Sequence, residues 1–169
     1  RAATLRIFLA DGSPEGRRLV EKSNWTGHAL VCPRSRFSTA RDRKEFNRPG
    51  VYVLTGLTPD SGLPRVYIGE GDPVRPRLDC HQRDKDFWTT LTLFTSGTEN
   101  LNKAHIQFLE SRLIELARAA KRADLDNQNS PQLPNLSEAD QAEMEAFLEE
   151  MLLIYPVLGL TDFESLKPQ

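Results

Sequence analysis

The stretch "VYIGEGDPVRPRLDCH", residues 66 to 81, carries Tyr67, Arg77 and His81 through an apolar strand, a Gly-flanked turn and the start of a helix. Arg77 and His81 are four residues apart, so on a helix they share a face. A guanidinium offers five fixed donors suited to phosphate oxygens, and an imidazole can give or take a proton near neutral pH. Together they could grip a phosphodiester; an unremarkable Arg and His at a helix surface is the plainer alternative for these two residues alone. Tyr52 and Tyr67 occupy equivalent places in two β-rich runs, where aromatics ordinarily serve packing. A free phenol has a pKa of about 10, so a tyrosine acting as a base needs positive charge beside it. Arg77, His81 and a divalent ion would supply that charge.

Glu110 is the fifth residue of interest. At a helical period, Ile106, Leu109, Leu113, Leu116, Ala117 and Ala120 form one apolar stripe, and Glu110 falls inside it while Glu115 points the other way. A carboxylate buried in such a stripe must protonate, find an Arg or hold a cation.

The elements that would position these groups can be read from local signals. "GVYVLTG" (50 to 56) and "RVYIGEG" (65 to 71) are joined by the turn-rich "LTPDSGLP", which predicts a β-hairpin. Asp72 and Pro73 open a helix to about Asp84, with Pro76 tolerated in the first turn. "FWTTLTLFTS" (87 to 96) reads as a strand, 101 to 122 as a long helix and 124 to 136 as a loop. Ser137 with Asp140 gives a capping pattern for a last helix, whose stripe runs through Met144, Phe147, Leu148, Met151, Leu152 and Tyr155. Upstream, residues 4 to 10 and 28 to 32 suit strands, Ser13 and Pro14 suggest a helix reaching about Lys22, and Ser38 to Phe46 permits another. "DGSPEGRR" lacks the spacing of a phosphate loop.

Composition sets the outer bounds. A chain of 169 residues, 38% apolar and 27% charged, is ordinary for a folded globular domain. The absence of a long apolar run or a signal-like segment predicts neither export nor membrane spanning, hence a cytoplasmic protein. A start at Arg1 and not Met suggests a longer natural N-terminus. Cys32 and Cys80, without CxxC spacing, read as reduced structural thiols. The net charge of −2 hides an asymmetry: residues 1 to 85 carry 16 basic and 10 acidic side chains, residues 86 to 169 six and 14. Arg34, Arg36, Arg41, Arg43, Lys44 and Arg48 crowd together against only Asp42 and Glu45, a candidate nucleic-acid-binding stripe or else a solvated connector. A pI near 6.0 argues against strong nonspecific binding.

Taken in order, these residues resemble the GIY-YIG nuclease family. Gly50-Val51-Tyr52 matches the first signature tripeptide conservatively, and Tyr67-Ile68-Gly69 matches the second letter for letter. Arg77, His81 and the glutamate of "FLESRLIELA" fall where that family places its arginine, its His or Tyr and its metal-binding glutamate. The family also carries an Asn after the long helix, here Asn127 in preference to Asn129. The resemblance, to a bacterial subgroup, spans about residues 48 to 130. It leaves 1 to 47 as an N-terminal α/β extension of unknown function and 131 to 169 as a C-terminal amphipathic helical extension. It implies an α+β fold with a small three-stranded antiparallel sheet flanked by helices. The activity implied is a metal-dependent endonuclease hydrolysing DNA phosphodiester bonds, with RNA an open alternative substrate.

In that scheme Glu110 holds one Mg²⁺ or Mn²⁺, Tyr67 or Tyr52 orients or deprotonates the attacking water, and Arg77 stabilises phosphoryl charge. His81 assists proton transfer or positions a tyrosine, and Asn127 joins the catalytic set. Glu70 departs from the pattern, standing where many members carry Lys or another non-acidic residue. Two other readings compete. A catalytically inactive nucleic-acid-binding module would use the same face, and a protein-interaction domain would work through the acidic last helix.

Overall fold

Strands with helices on both sides have no solvent face, and two runs of this chain show the resulting unbroken apolar pattern. Val51, Tyr52, Val53 and Leu54 are each fully buried in strand β4 (Gly50–Leu57), and residues 91 to 96 are all buried in β6 (Trp88–Ser96). A computed structural model describes residues 1–58, 60, 62–98, 101–160 and 162–163. Around β4 and β6 it assembles β1 (Leu5–Leu9), β2 (Arg18–Lys22), β3 (Gly27–Pro33), β5 (Pro64–Gly71) and the short β7 (Asp124–Leu125). These form one seven-stranded sheet in the order β1-β2-β3-β6-β4-β5-β7. Neighbours are antiparallel except β5 and β7, which run parallel.

Helices α1 (Arg34–Ala40) and α2 (Arg75–Asp84) cover one face, packing Phe37, Ala40, Val74 and Leu78 on Leu30, Tyr52, Leu54 and Leu93. Helices α3 (Lys103–Ala120) and α4 (Glu138–Val157) cover the other, over Val51, Val53, Val66 and Ile68. The period of two along each strand sorts the side chains between the two layers. In β4 it sends Tyr52 towards α2 and Val53 towards α3.

The α+β class holds, but the sheet is larger than the three strands expected. Its β6-β4-β5 portion corresponds to the expected core, and β3 continues it through seven paired positions, from Gly27↔Ser96 to Pro33↔Thr90. The predicted hairpin is β4–β5, with Tyr52 opposite Gly69; residues 59 and 61 of its turn lie outside the described residues. The helix expected from Ser13 to Lys22 is a correction: residues 18 to 22 form β2. Asp11 decides this locally. Its carboxylate accepts from the Arg17 backbone N–H at 2.8 Å and pairs with the Arg17 guanidinium at 2.6 Å, while Gly12 takes φ +70°. The side chain thereby closes a hairpin turn that outcompetes the Ser-Pro helix start.

The last helix forms as its cap predicts, with Ser137 Oγ accepting from the Asp140 N–H at 3.1 Å. Cys32 is buried, which pushes its thiol up to about 11, whereas Cys80 is exposed; both are free. Among the described residues, no helix is long and apolar enough to cross a membrane.

Candidate active site

Tyr52 is the most enclosed of the candidate residues, fully buried between β4 and α2, with its hydroxyl 2.8 Å from His81 Nε2. The position depends on a missing side chain. A Cβ on Gly69, directly across the β4–β5 ladder, would stand 2.4 Å from the Tyr52 hydroxyl and 2.5 Å from its Cζ. The glycine of the second tripeptide thus makes room for the tyrosine of the first. Burial pushes the Tyr52 phenol well above its usual range, with the neighbouring Tyr67 phenol adding to this and the Arg77 guanidinium opposing it. Tyr52 therefore stays protonated and serves as a hydrogen-bonding group beside His81. Burial, with the charges of Lys85 and Arg77, lowers His81 to about 4, so its imidazole is neutral at physiological pH.

Tyr67 is the half-exposed phenol of the pair. Its ring lies edge-on to His81 at 4.9 Å and 6.5 Å from the Tyr52 ring, with Lys85 Nζ 4.2 Å from its centroid. Lys85 is held there by Asp126, whose carboxylate is 2.6 Å away and also binds Arg65. Although burial works against it, Lys85 and Arg65 hold the Asp126 carboxyl below its usual range. Arg77 is exposed, one turn before His81 on the same side of α2, and its charge acts on both tyrosines.

From the opposite side, α3 contributes Glu110. Its carboxyl is pushed up to about 7 by burial and by the charge of Glu70, against Arg77 and Lys103. Tyr52 in turn feels Glu110. Of the three alternatives for a stripe carboxylate, an Arg partner is not the one taken: Arg112 pairs with Glu115 and Glu145, and Glu110 has no ion pair among the described residues. Glu70 is neutralised by Lys103, whose Nζ is 2.6 and 2.9 Å from its two oxygens. The acid that departs from the family pattern is thus masked by the first residue of α3.

Asn127 binds the backbone of β5 beside Tyr67. Its Oδ1 accepts from the Ile68 N–H at 2.9 Å and its Nδ2 donates to the Ile68 carbonyl at 2.8 Å. The amide occupies both backbone groups of Ile68 in β5 just past the end of β7, as a further strand residue would. Replacing it with Ala leaves those two groups to water. Asn127→Ala should lower unfolding free energy by about 1–2 kcal/mol, measured by urea denaturation. An unchanged urea midpoint would show that the amide does not hold the strand.

The basic stripe divides. Arg34 donates to the Lys85 and Gln82 carbonyls, both at 2.7 Å, and stacks 4.5 Å over Trp88. Arg41 is bidentate to Asp79 at 3.0 and 2.7 Å, and Arg43 pairs with Glu45 at 3.2 Å. Arg36, Lys44 and Arg48 have no such partner among the described residues and point to solvent or its margin. Lys85 and Lys103 were not legible as parts of the site, because their contacts, with Asp126 and Glu70, span 41 and 33 residues.

Compared with protein-family models, curated proteins and solved structures, the chain gives no significant match. Its functional reading therefore rests on the geometry of this site.

The donor set bears on the metal that the family resemblance implies. No group of three or more His, Cys, Asp or Glu side chains could hold an ion among the described residues. Glu110 instead offers one half-buried carboxylate without a protein cation. That suits a hard divalent ion such as Mg²⁺, which keeps most of its waters and takes one or two carboxylates with a substrate phosphate.

Proposed function

We propose that this protein is a metal-dependent endonuclease hydrolysing DNA phosphodiester bonds through a GIY-YIG-type site. The observation that carries the reading is the convergence of a neutral His81, a buried Tyr52, a half-exposed Tyr67 and an exposed Arg77 around one end of β4, β5 and α2, within electrostatic reach of the unpaired Glu110. Such a set has a use in phosphoryl transfer, where catalysis is positioning plus stabilisation of developing charge.

In this scheme Arg77 receives a phosphate oxygen and stabilises the charge that grows on it. Tyr67, the less buried of the two phenols, orients the attacking water. Neutral His81 is able to accept a proton, with Tyr52 fixing its ring through the 2.8 Å hydrogen bond. Lys85 keeps positive charge against the Tyr67 ring. Glu110 would hold the divalent ion, Mg²⁺ or Mn²⁺, which supplies Lewis-acid polarisation of the phosphate when bound. Lys103 keeps Glu70 from adding a second free carboxylate beside the substrate's charge.

The test is cleavage of supercoiled plasmid and single-stranded DNA in Mg²⁺ or Mn²⁺ by wild type and Arg77→Ala. Because Arg77 is an exposed residue of α2 without an ion pair among the described residues, the variant should unfold within about 1 kcal/mol of wild type. Loss of one such donor should cost about 10²–10³ in rate. Undiminished cleavage in Arg77→Ala would remove the proposed site. Salt-sensitive DNA binding without turnover in wild type would make the protein a binding module using the same face.

A further inference from the structure

A groove of about 610 Å³ lies on the α1–α2 face of the sheet, floored by β1 to β3 and walled by the short 3-10 helix at Lys44–Asn47 together with Arg48. We propose that it binds a single-stranded nucleic-acid flank leading into the site; this rests on the nuclease reading for its substrate and adds the strandedness of that substrate.

Three features of the groove carry the inference. The first is charge. Of its two carboxylates, Glu45 pairs with Arg43 at 3.2 Å, and Glu21 lies 3.8 Å from the His28 ring. Arg6, Lys44 and Arg48 also line it, and none has an ion-pair partner among the described residues. Three cations without an ion pair against the single carboxylate of Glu21 leave this concave surface net positive, which suits a phosphate backbone.

The second feature is Phe8, 65% exposed on the edge strand β1, where it stands beside Leu19 on the groove floor. An aromatic ring open to water among free cations is the composition of single-strand sites, in which bases stack on a ring while basic side chains follow the backbone. A duplex keeps its base faces stacked inside and could not use that ring.

The third is continuity with the site. Leu19 on this floor packs against the buried layer that holds Leu30, Tyr52 and Leu54, so groove and phenols share one face of the sheet. The Arg48 carbonyl accepts from the Val74 N–H at 3.2 Å, so the groove wall is joined to the start of the helix that presents Arg77.

The test is fluorescence anisotropy of a fluorescein-labelled oligodeoxythymidine on the full chain in EDTA, where binding is read without turnover. Phe8→Ala should weaken binding about tenfold and Phe8→Trp should restore it, with thermal midpoints unchanged because the ring is exposed. Lys44→Ala combined with Arg48→Ala should reduce the slope of log K against log salt by about 1.4, two phosphates at about 0.7 each. The proposal is overturned if the oligonucleotide does not bind, if a duplex of the same length binds as tightly, or if Phe8→Ala changes nothing. A shift in oligomeric state on Phe8→Ala with unaltered oligonucleotide affinity would also overturn it, making this face a contact between copies. Phe8-dependent binding in a protein that never cleaves DNA would retain the groove and defeat the nuclease reading, so the two fail separately.

Discussion

Glu110→Gln is expected to abolish Mg²⁺-dependent cleavage, by a factor on the order of 10³, while making the metal-free protein more stable. The two effects have one cause. Burial and Glu70 raise the native carboxyl from 4.5 to about 7. Between those values the folded state holds a proton that the unfolded state has released, so stability falls as pH rises from about 4.5 through 7. The penalty is then fully present above that window. Its ceiling, from the size of the shift, is about 3 kcal/mol. Glutamine keeps the shape and does not titrate. In EDTA the stability difference between Glu110→Gln and wild type should therefore grow from pH 5 to pH 8, read by urea denaturation at each pH. Adding Mg²⁺ should raise the wild-type midpoint and leave the variant's unmoved. Equal stability at every pH, with equal response to Mg²⁺, would show that the carboxylate is neither strained nor a ligand.

Gly69→Ala should be nearly as damaging by a different route. The added methyl would stand 2.4 Å from a hydroxyl that is fully buried and already bonded to His81. Tyr52 cannot rotate into solvent, so β4 and β5 must part or the ring must leave His81. Overpacking of this kind costs about 1–3 kcal/mol, and the displaced ring should take His81 with it. Cleavage should then fall even at temperatures well below the variant's thermal midpoint. A variant as stable and as active as wild type would mean that the close approach at Gly69 has no part in building the site.

How far the sequence shows this arrangement depends on the range of each interaction. The β4–β5 hairpin, the four-residue spacing of Arg77 and His81 and the cap at Ser137 are local, and all are present as read. The stripe on α3 carries its anomaly openly, because a carboxylate among Ile106, Leu109 and Leu113 conflicts with its own neighbourhood. The joining of β3 to β6 was hidden: pairing between strands so far apart leaves no period in either segment. At Ser13 the local signal misled, since helix capping and an Asp-closed turn draw on the same small polar residues. The six cations from Arg34 to Arg48 were legible as charge, yet charge does not reveal a partner. Arg34, Arg41 and Arg43 turned out to bind the protein itself. Asn127 was found for its place after the long helix, whereas its contact with Ile68, 59 residues away, could only be seen in the fold.

Arg34 has an effect on the site that its charge conceals. With the Trp88 indole N–H, 3.2 Å from the His81 carbonyl, it holds the C-terminal turn of α2, while the Arg48 carbonyl holds the first turn. A helix anchored at both ends gives Arg77 and His81 a backbone that is already in place before any substrate arrives. On the nuclease reading proposed above, the backbone share of their orientational entropy would be lost when the chain folds and not when DNA binds, a preorganisation that favours phosphoryl transfer. On that reading, catalysis would be exposed to changes that touch neither substrate nor ion. A lysine at position 34 would keep the charge of the basic stripe and lose the fork of donors that fixes the helix.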